Sequence, residues 1–272
     1  MSYFFKPSLS KLLGKYLLIF TIMTGAVSAI EIESIYHAVD VAGKQRMFTQ
    51  RMFKDYTMMG MNNSYGKPDE DLKKIIDDFE NHLKSLHDYS KSKEIRESAS
   101  SVKKLWLPIK KVLIATPDRE KVGVLQEDLE KLLKESNHLT ELFAKATGES
   151  SGEIINISGR QRMLSQRMAG LYMLKVWKVN DEKFKEKMDA SMNLFRESLK
   201  KLKKSKLNTD EINKLLIEVE KSFMFFEMMN KSSKAFIPAL IYKKSNDILK
   251  NMNSVTKLYV SVSKNKEEKN YV

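Results

Sequence analysis

Two arginines that each follow a glycine by three residues are the side chains of this sequence best suited to bind an anion. Gly43 precedes Arg46, and Gly159 precedes Arg162. On a helix this spacing puts the guanidinium and the glycine backbone on one side, where glycine permits a ligand or a second helix to approach closely. A guanidinium is a planar fork of N–H donors that suits flat oxyanions. The alternative is structural, with each arginine pairing with an acid or capping carbonyl groups inside the fold.

Both arginines belong to a phrase that the chain contains twice. Residues 42–56 (AGKQRMFTQRMFKDY) and 158–172 (SGRQRMLSQRMAGLY) are identical at eight of fifteen positions, at an offset of 116 residues. Two further pairs of segments align at the same offset, 79–86 with 195–202 and 132–143 with 248–259. Three separated matches at one offset indicate an internal duplication.

The elements that carry the phrase are predicted to be helices. The 272 residues include only 10 Gly and 5 Pro, and within each unit the apolar residues recur at the spacing of one helix face. Breaks in this pattern place the helices at 32–61, 69–92, 94–115, 118–146, 151–179, 181–204, 208–233 and 236–263. Short connections between amphipathic helices favour up-down four-helix bundles. We therefore predict an all-α fold of two tandem up-down four-helix bundles.

The duplication also sets the predicted domain boundaries, which are a signal peptide at 1–29, bundles at 30–147 and 148–263, and a polar tail at 264–272. The connection at 146–153 either continues one helix into the next, which stacks the bundles end to end, or forms a tight hinge that puts them side by side. Pro68 is expected early in the second helix. Thr116 is expected to cap the fourth helix, with Pro117 at its first position. Pro108 should kink or end a helix unless it lies in a first turn.

Residues on both faces of the phrase repeat between the units, so its helix is expected to pack against its own bundle on one side and another partner on the other. Four further polar residues of the phrase are secondary candidates for ligand binding: Gln50, Arg51, Gln166 and Arg167.

The N-terminus predicts export. Residues 1–29 combine three lysines, a short apolar run and a small-x-small ending, which is typical of a cleaved signal peptide. The alternative is an inner-membrane anchor at 12–30. The net charge is +13, or about +10 without the signal lysines, and a Lys-rich helical surface explains it without nucleic acid as a partner.

Several classes of site find no support in the sequence. There is no cysteine, and the four histidines have no metal-ligand spacing. The 16 methionines are more typical of an adaptable core than of a copper site. No phosphate loop and no catalytic triad motif occurs. We therefore expect no enzyme activity, no metal and no cofactor.

The doubled phrase resembles the signature of the type IV pili methyl-accepting chemotaxis transducer N-terminal domain family, which is also called PilJ-like. The resemblance implies a periplasmic four-helix sensor module, similar to the ligand domains of bacterial nitrate/nitrite sensors. In those domains one arginine from each of two copies, near a preceding glycine, holds a nitrate on a two-fold axis. By position, the implied ligand residues are Arg46 with Gly43 and Arg162 with Gly159.

Two arrangements of such a site are open. In one, side-by-side bundles bring both arginines together within one chain; in the other, each phrase meets its partner in a homodimer. No second apolar span follows the bundles, so signalling is expected to pass to a membrane receptor or kinase partner. The competing hypothesis is a structural protein in which the phrase is only a helix-packing surface.

Overall fold

The computed structural model describes residues 30–231 and 237–270. Eight helices follow one another along these residues: α1 (Ile35–Gly60), α2 (Pro68–Tyr89), α3 (Lys93–Leu113), α4 (Val122–Ala146), α5 (Ser150–Val176), α6 (Phe184–Lys203), α7 (Asp210–Lys231) and α8 (Pro238–Asn270). The described part of the chain contains no strand, and the predicted all-α fold is confirmed. The predicted signal peptide at 1–29 lies outside the described residues. Among the helices described, none is long and apolar enough to cross a membrane.

The local sequence explains how the first two helices begin. Ser34 caps α1, because its side-chain oxygen accepts a hydrogen bond from the N–H of His37 at 3.1 Å. Pro68 opens α2 as predicted, at a position whose N–H would have no partner within the helix. Acidic residues in the first turn of α2 complement the positive end of the helix dipole.

The predicted start of the fourth helix is wrong. α4 begins at Val122, and Thr116 does not cap it. The residues after Pro117 form a turn instead, in which the N–H of Asp118 donates a hydrogen bond to the hydroxyl of Tyr56 at 3.0 Å. This tertiary contact holds the chain away from the helical path that its local sequence favours.

A proline fails to end one helix, and another helix runs further than the sequence indicates. Pro108 lies in the interior of α3, which continues to Leu113, so this proline does not end the helix. α8 continues to Asn270, through most of the predicted polar tail at 264–272, although the apolar pattern stops near 263.

The helices form two four-helix units, α1–α4 and α5–α8. In the first, α1 packs against α2 and α4, and α3 packs against α4; in the second, α5 packs against α6 and α8, and α7 packs against α8. Equivalent phenylalanines lie at the two centres. The Phe79 and Trp106 rings are 4.5 Å apart, and the Phe195 and Phe223 rings are 4.3 Å apart.

The two units lie side by side. α1 and α5 form the most extensive contact between any two of the described helices, and we call their contact the α1/α5 seam. The hinge that makes this possible follows α4, where Gly148 adopts a φ of +66°, a backbone conformation that glycine reaches without steric cost. The seam is the second packing partner that the phrase was expected to have.

Candidate anion-binding site

The α1/α5 seam brings the two arginines together beside the two glycines. Arg46 and Arg162 are both 0% exposed. From the point where a Cβ of Gly43 would stand, the Nη2 atoms of Arg162 and Arg46 are 3.2 and 3.4 Å away. The same distances at Gly159 are 3.1 and 3.3 Å. Both guanidinium groups therefore converge on one place, where neither helix carries a side chain in their way.

Arg46 is held by one residue from each unit. Its Nη1 donates to Oδ1 of Asn137 on α4 at 2.8 Å, and its Nη2 donates to the backbone carbonyl of Asn156 on α5 at 3.1 Å. Its Nε is buried and has no hydrogen-bond partner. The guanidinium is fixed in orientation while one donor stays unsatisfied.

Arg162 repeats this arrangement from the other side, with one difference. Its Nη1 donates to Oδ1 of Asn253 at 3.1 Å, its Nη2 to the backbone carbonyl of Asp40 at 3.3 Å, and its Nε has no partner. Asn253 and Asp40 are equivalent to Asn137 and Asn156 at the 116-residue offset. The difference is that Oδ1 of Asp40 also lies 2.7 Å from Nη1 of Arg162.

Burial and like charges act on the first arginine. Burial, followed by repulsion from Arg160 and Arg162, lowers the pKa of Arg46 to about 9, while Glu141 raises it slightly. Arg46 therefore stays protonated at neutral pH, and the fold holds two cations close together in a low-dielectric environment.

The carboxylate of Asp40 also stays charged. Burial alone would raise its pKa, but Arg162 and Lys44 lower it to about 2. Lys44 reaches Oδ2 of Asp40 at 3.1 Å, and its own side chain is 19% exposed.

A second set of equivalent bonds fixes the helix that carries each arginine. Nε2 of Gln45 donates to the carbonyl of Phe79, and Nε2 of Gln161 donates to the carbonyl of Phe195, both at 3.1 Å. Each glutamine is fully buried. These bonds tie the seam helices to their own units on the face opposite the site, which accounts for the repetition of both faces of the phrase.

The four secondary candidates make their hydrogen bonds and ion pairs away from the arginine pair. Arg51 makes a two-pronged ion pair with Asp71 on α2, with distances of 2.8 and 2.6 Å. Arg167 pairs with Glu130 on α4. Gln50 and Gln166 are buried in the seam, where the amide of each donates to the hydroxyl of its neighbour in the chain at 3.3 Å. The structure brings none of these four side chains into hydrogen-bond contact with the arginine pair.

A buried lysine forms a separate polar cluster in the seam. Lys54 is 0% exposed; its Nζ donates to Oε1 of Gln166 at 2.8 Å and to Oδ1 of Asn246 at 2.9 Å. It lies 3.9 Å from the centre of the Tyr242 ring and 3.6 Å from Oδ1 of Asp55. At the 116-residue offset the residue equivalent to Lys54 is Gly170, so the second unit contains no equivalent of this cluster.

Two surface depressions reach residues that contact the buried arginines, and neither is lined by Arg46 or Arg162. One reaches Asp40 and the other reaches Asn156. Cationic side chains outnumber acidic ones around both, and they include Lys44, Lys257, Lys264, Arg160, Lys200, Lys201 and Lys204. An approaching anion would meet a favourable field on either side.

Sequence reasoning missed the residues that hold the guanidinium groups. The repeat contained a signal for two of them, because Asn137 and Asn253 are identical at the offset. Asp40 and Asn156 differ from each other and lie outside the matching phrase, so identity between the halves could not indicate them. The burial of Lys54 carries no signal in the sequence either.

The family described as type IV pili methyl-accepting chemotaxis transducer N-term matches residues 31–132 and 143–222. The chain belongs to this family. Its two matches fall on the two units, which confirms the predicted resemblance in tandem copies. No curated protein and no solved structure matches the chain.

Membership in this family indicates a general role in signal transduction. A chemotaxis transducer N-terminal domain is a sensor domain for signal transduction rather than a catalytic one, and it implies a membrane-associated signalling partner. Domains of this family are typically periplasmic.

Proposed function

We propose that this protein is an exported, periplasmic sensor that binds a small oxyanion such as nitrate between Arg46 and Arg162, within one chain. The observation that carries the proposal is the pair of buried Nε–H groups, one on each arginine, without an acceptor. A buried donor without an acceptor costs about 1–3 kcal/mol. That the same donor is left unsatisfied in both halves supports a ligand that accepts hydrogen bonds from both.

The chemistry of the pair favours an anion. Two guanidinium groups lie beside one pair of glycines, and of the described acids around them only Asp40 is buried against a guanidinium. A planar oxyanion presents several acceptors to the two forks at once. Gly43 and Gly159 let the two helices approach closely beside both guanidinium groups, and we assign them to the ligand site with the arginines.

Signalling would follow from the position of the site on the seam. An anion bound by both arginines touches α1 of one unit and α5 of the other. It shifts the balance between two arrangements of these helices if it binds one of them more tightly. We propose that a membrane receptor or kinase reads this change.

A packing role is the second candidate, and one observation favours it. All four Nη atoms of the two arginines already have protein partners, and the glycines permit close helix contact. In that role the phrase would hold the two units together, or two chains in a homodimer, without a ligand.

Thermal shift and calorimetry on residues 30–272 separate these functions. Nitrate, nitrite and sulfate would be titrated in a chloride-free buffer into the wild type, Arg46→Lys and Arg162→Lys, because lysine keeps the charge but loses the fork. Nitrate at 100 times its dissociation constant should add about 2.7 kcal/mol of stability. Each variant should lose this gain entirely, since both arginines serve one site.

Arg51→Lys and Arg167→Lys are matched controls from the same phrase, and they should bind as the wild type does. Binding that only halves in Arg46→Lys and in Arg162→Lys would contradict a shared site. A folded wild type that binds none of the three anions would favour the packing role.

A further inference from the structure

The two halves of the anion site differ at one buried position. Asp40 and Asn156 are equivalent at the 116-residue offset, and the backbone carbonyl of each accepts from the arginine of the other unit. Only Asp40 adds a carboxylate, 2.7 Å from Nη1 of Arg162. Among the described residues, this is the one charged difference between the halves that contacts a guanidinium group of the proposed site.

This difference sets the charge of the buried cluster. Arg46 and Arg162 contribute two positive charges and Asp40 contributes one negative charge, so in the described part of this cluster one positive charge is left without a buried counter-charge. The other charged groups nearby reach solvent. Lys44 and Arg160 are partly exposed, and Glu141 and Lys257 are exposed, so water and salt screen their contributions far more.

We propose that Asp40 restricts the site to singly charged anions and excludes doubly charged ones. This inference rests on the anion site proposed above. A monoanion neutralises the remaining positive charge, whereas a dianion leaves a surplus negative charge buried beside Asp40, where the low dielectric makes it costly. Asp40 is thus a specificity-determining residue, and its equivalent Asn156 contacts its arginine through the backbone without changing the charge.

The test is a charge swap between equivalent positions, with nitrate and sulfate as probes. Calorimetry would give Kd for both anions in the wild type, Asp40→Asn, Asn156→Asp and the double variant that carries both changes. Sulfate is harder to dehydrate than nitrate, so a wild-type preference for nitrate is not sufficient by itself. The decisive quantity is the ratio of the two Kd values and its change between variants.

Asp40→Asn should improve sulfate binding relative to nitrate by at least about tenfold, because the gain from one removed negative charge scales with the charge of the ligand. Asn156→Asp should abolish binding of both anions, because two carboxylates then neutralise both arginines. The double variant should restore nitrate binding and the wild-type ratio. A merely structural role for Asp40 would not be rescued by an acid placed on the other helix.

The outcomes distinguish this inference from the proposal beneath it. If nitrate binds the wild type and depends on both arginines, but Asp40→Asn leaves the ratio unchanged, the charge filter is wrong and the anion site stands. If no anion binds any folded variant, the anion site itself is wrong. Should Asp40→Asn fail to fold, retained nitrate binding in Asn156→Asp would overturn the inference.

Discussion

Gly43 and Gly159 face each other across the α1/α5 seam so closely that a Cβ on either would stand within 4 Å of the other's Cα, at 3.9 and 3.8 Å. The arginine Nη2 atoms are nearer still to these two points. The glycines thus allow close helix contact and keep other side chains away from both guanidinium groups. Substitution with a small side chain tests which of these two properties the site depends on.

Gly43→Ala should leave stability within about 1 kcal/mol of the wild type but reduce nitrate affinity at least about tenfold. Alanine gains about 1 kcal/mol of helix propensity, which offsets the small displacement of the Nη2 atoms at 3.2 and 3.4 Å. The added methyl group would stand within 3.4 Å of both Nη2 atoms, where it obstructs a ligand held by the two guanidinium groups. Thermal melts and calorimetry measure the two effects.

Gly123→Ala is the matched control, because nothing lies within 4 Å of the point where its Cβ would stand. It should gain stability and bind nitrate unchanged. Equal nitrate affinity in Gly43→Ala would show that the ligand does not use the space beside this glycine.

The buried carboxyl group of Asp55 should make the folded protein less stable as the pH rises from mildly acidic to mildly alkaline values. Burial, helped by Asp71 and opposed by Lys54, raises the pKa of Asp55 from 3.8 to about 8. The folded state then holds a proton that the unfolded state releases above about pH 4, so stability is lost as pH rises toward 8. Asp55→Asn should match the wild type near pH 4 and increasingly exceed it up to about pH 8 in denaturant unfolding.

Asp247→Asn provides the comparison, because the Asp247 side chain is 41% exposed. Its unfolding should follow the wild type at every pH. A constant difference between wild type and Asp55→Asn across this range would mean that Asp55 is ionised in the fold and stably paired with Lys54.

The buried ring of His82 should make the folded protein less stable at acidic pH. Its ring packs edge-on to Phe48 with centroids 5.1 Å apart, and burial, with Lys44 adding to it, lowers the pKa of His82 from 6.5 to about 4. The folded state favours the neutral ring. The stability that this ring contributes is therefore fully present above pH 6.5 and is lost as pH falls from 6.5 toward 4. At pH 4.5 the loss attributable to this ring is about 2–3 kcal/mol.

His82→Gln should remove that part of the acid sensitivity. The exposed His87, whose side chain is 46% accessible, supplies the control variant His87→Gln, which should retain it. Identical pH profiles for the wild type and His82→Gln would refute the assignment.

Repetition and helical periodicity predicted most of this fold. The eight helices, the pairing of Arg46 with Arg162 as candidates, and the two faces of the phrase all follow from patterns that local chemistry leaves in a sequence. The cap at Thr116 failed because a distant hydroxyl, that of Tyr56, binds the chain just after it. Such tertiary contacts leave no local signature.

The same distinction applies to the candidate site, where repeated residues could be predicted and residues that differ between the halves could not. Matching positions pointed to the arginines and glycines, because both halves need them. Asp40 and Lys54 are informative for the opposite reason, since each differs from its equivalent residue and no rule of spacing reveals a buried charge. Whether the hinge at Gly148 would fold the units side by side depended on the sum of packing over the whole seam, which a short segment does not encode.

The side-by-side arrangement within one chain also gives each half freedom to change alone. In a symmetric dimer every substitution occurs on both sides of the axis. A lysine at position 54 would then face a second lysine in place of Gly170, and an acid at position 40 would be present twice. Here each such change occurs once. Two units joined in one chain can therefore diverge in sequence, which gives the pair a polarity that a symmetric dimer lacks.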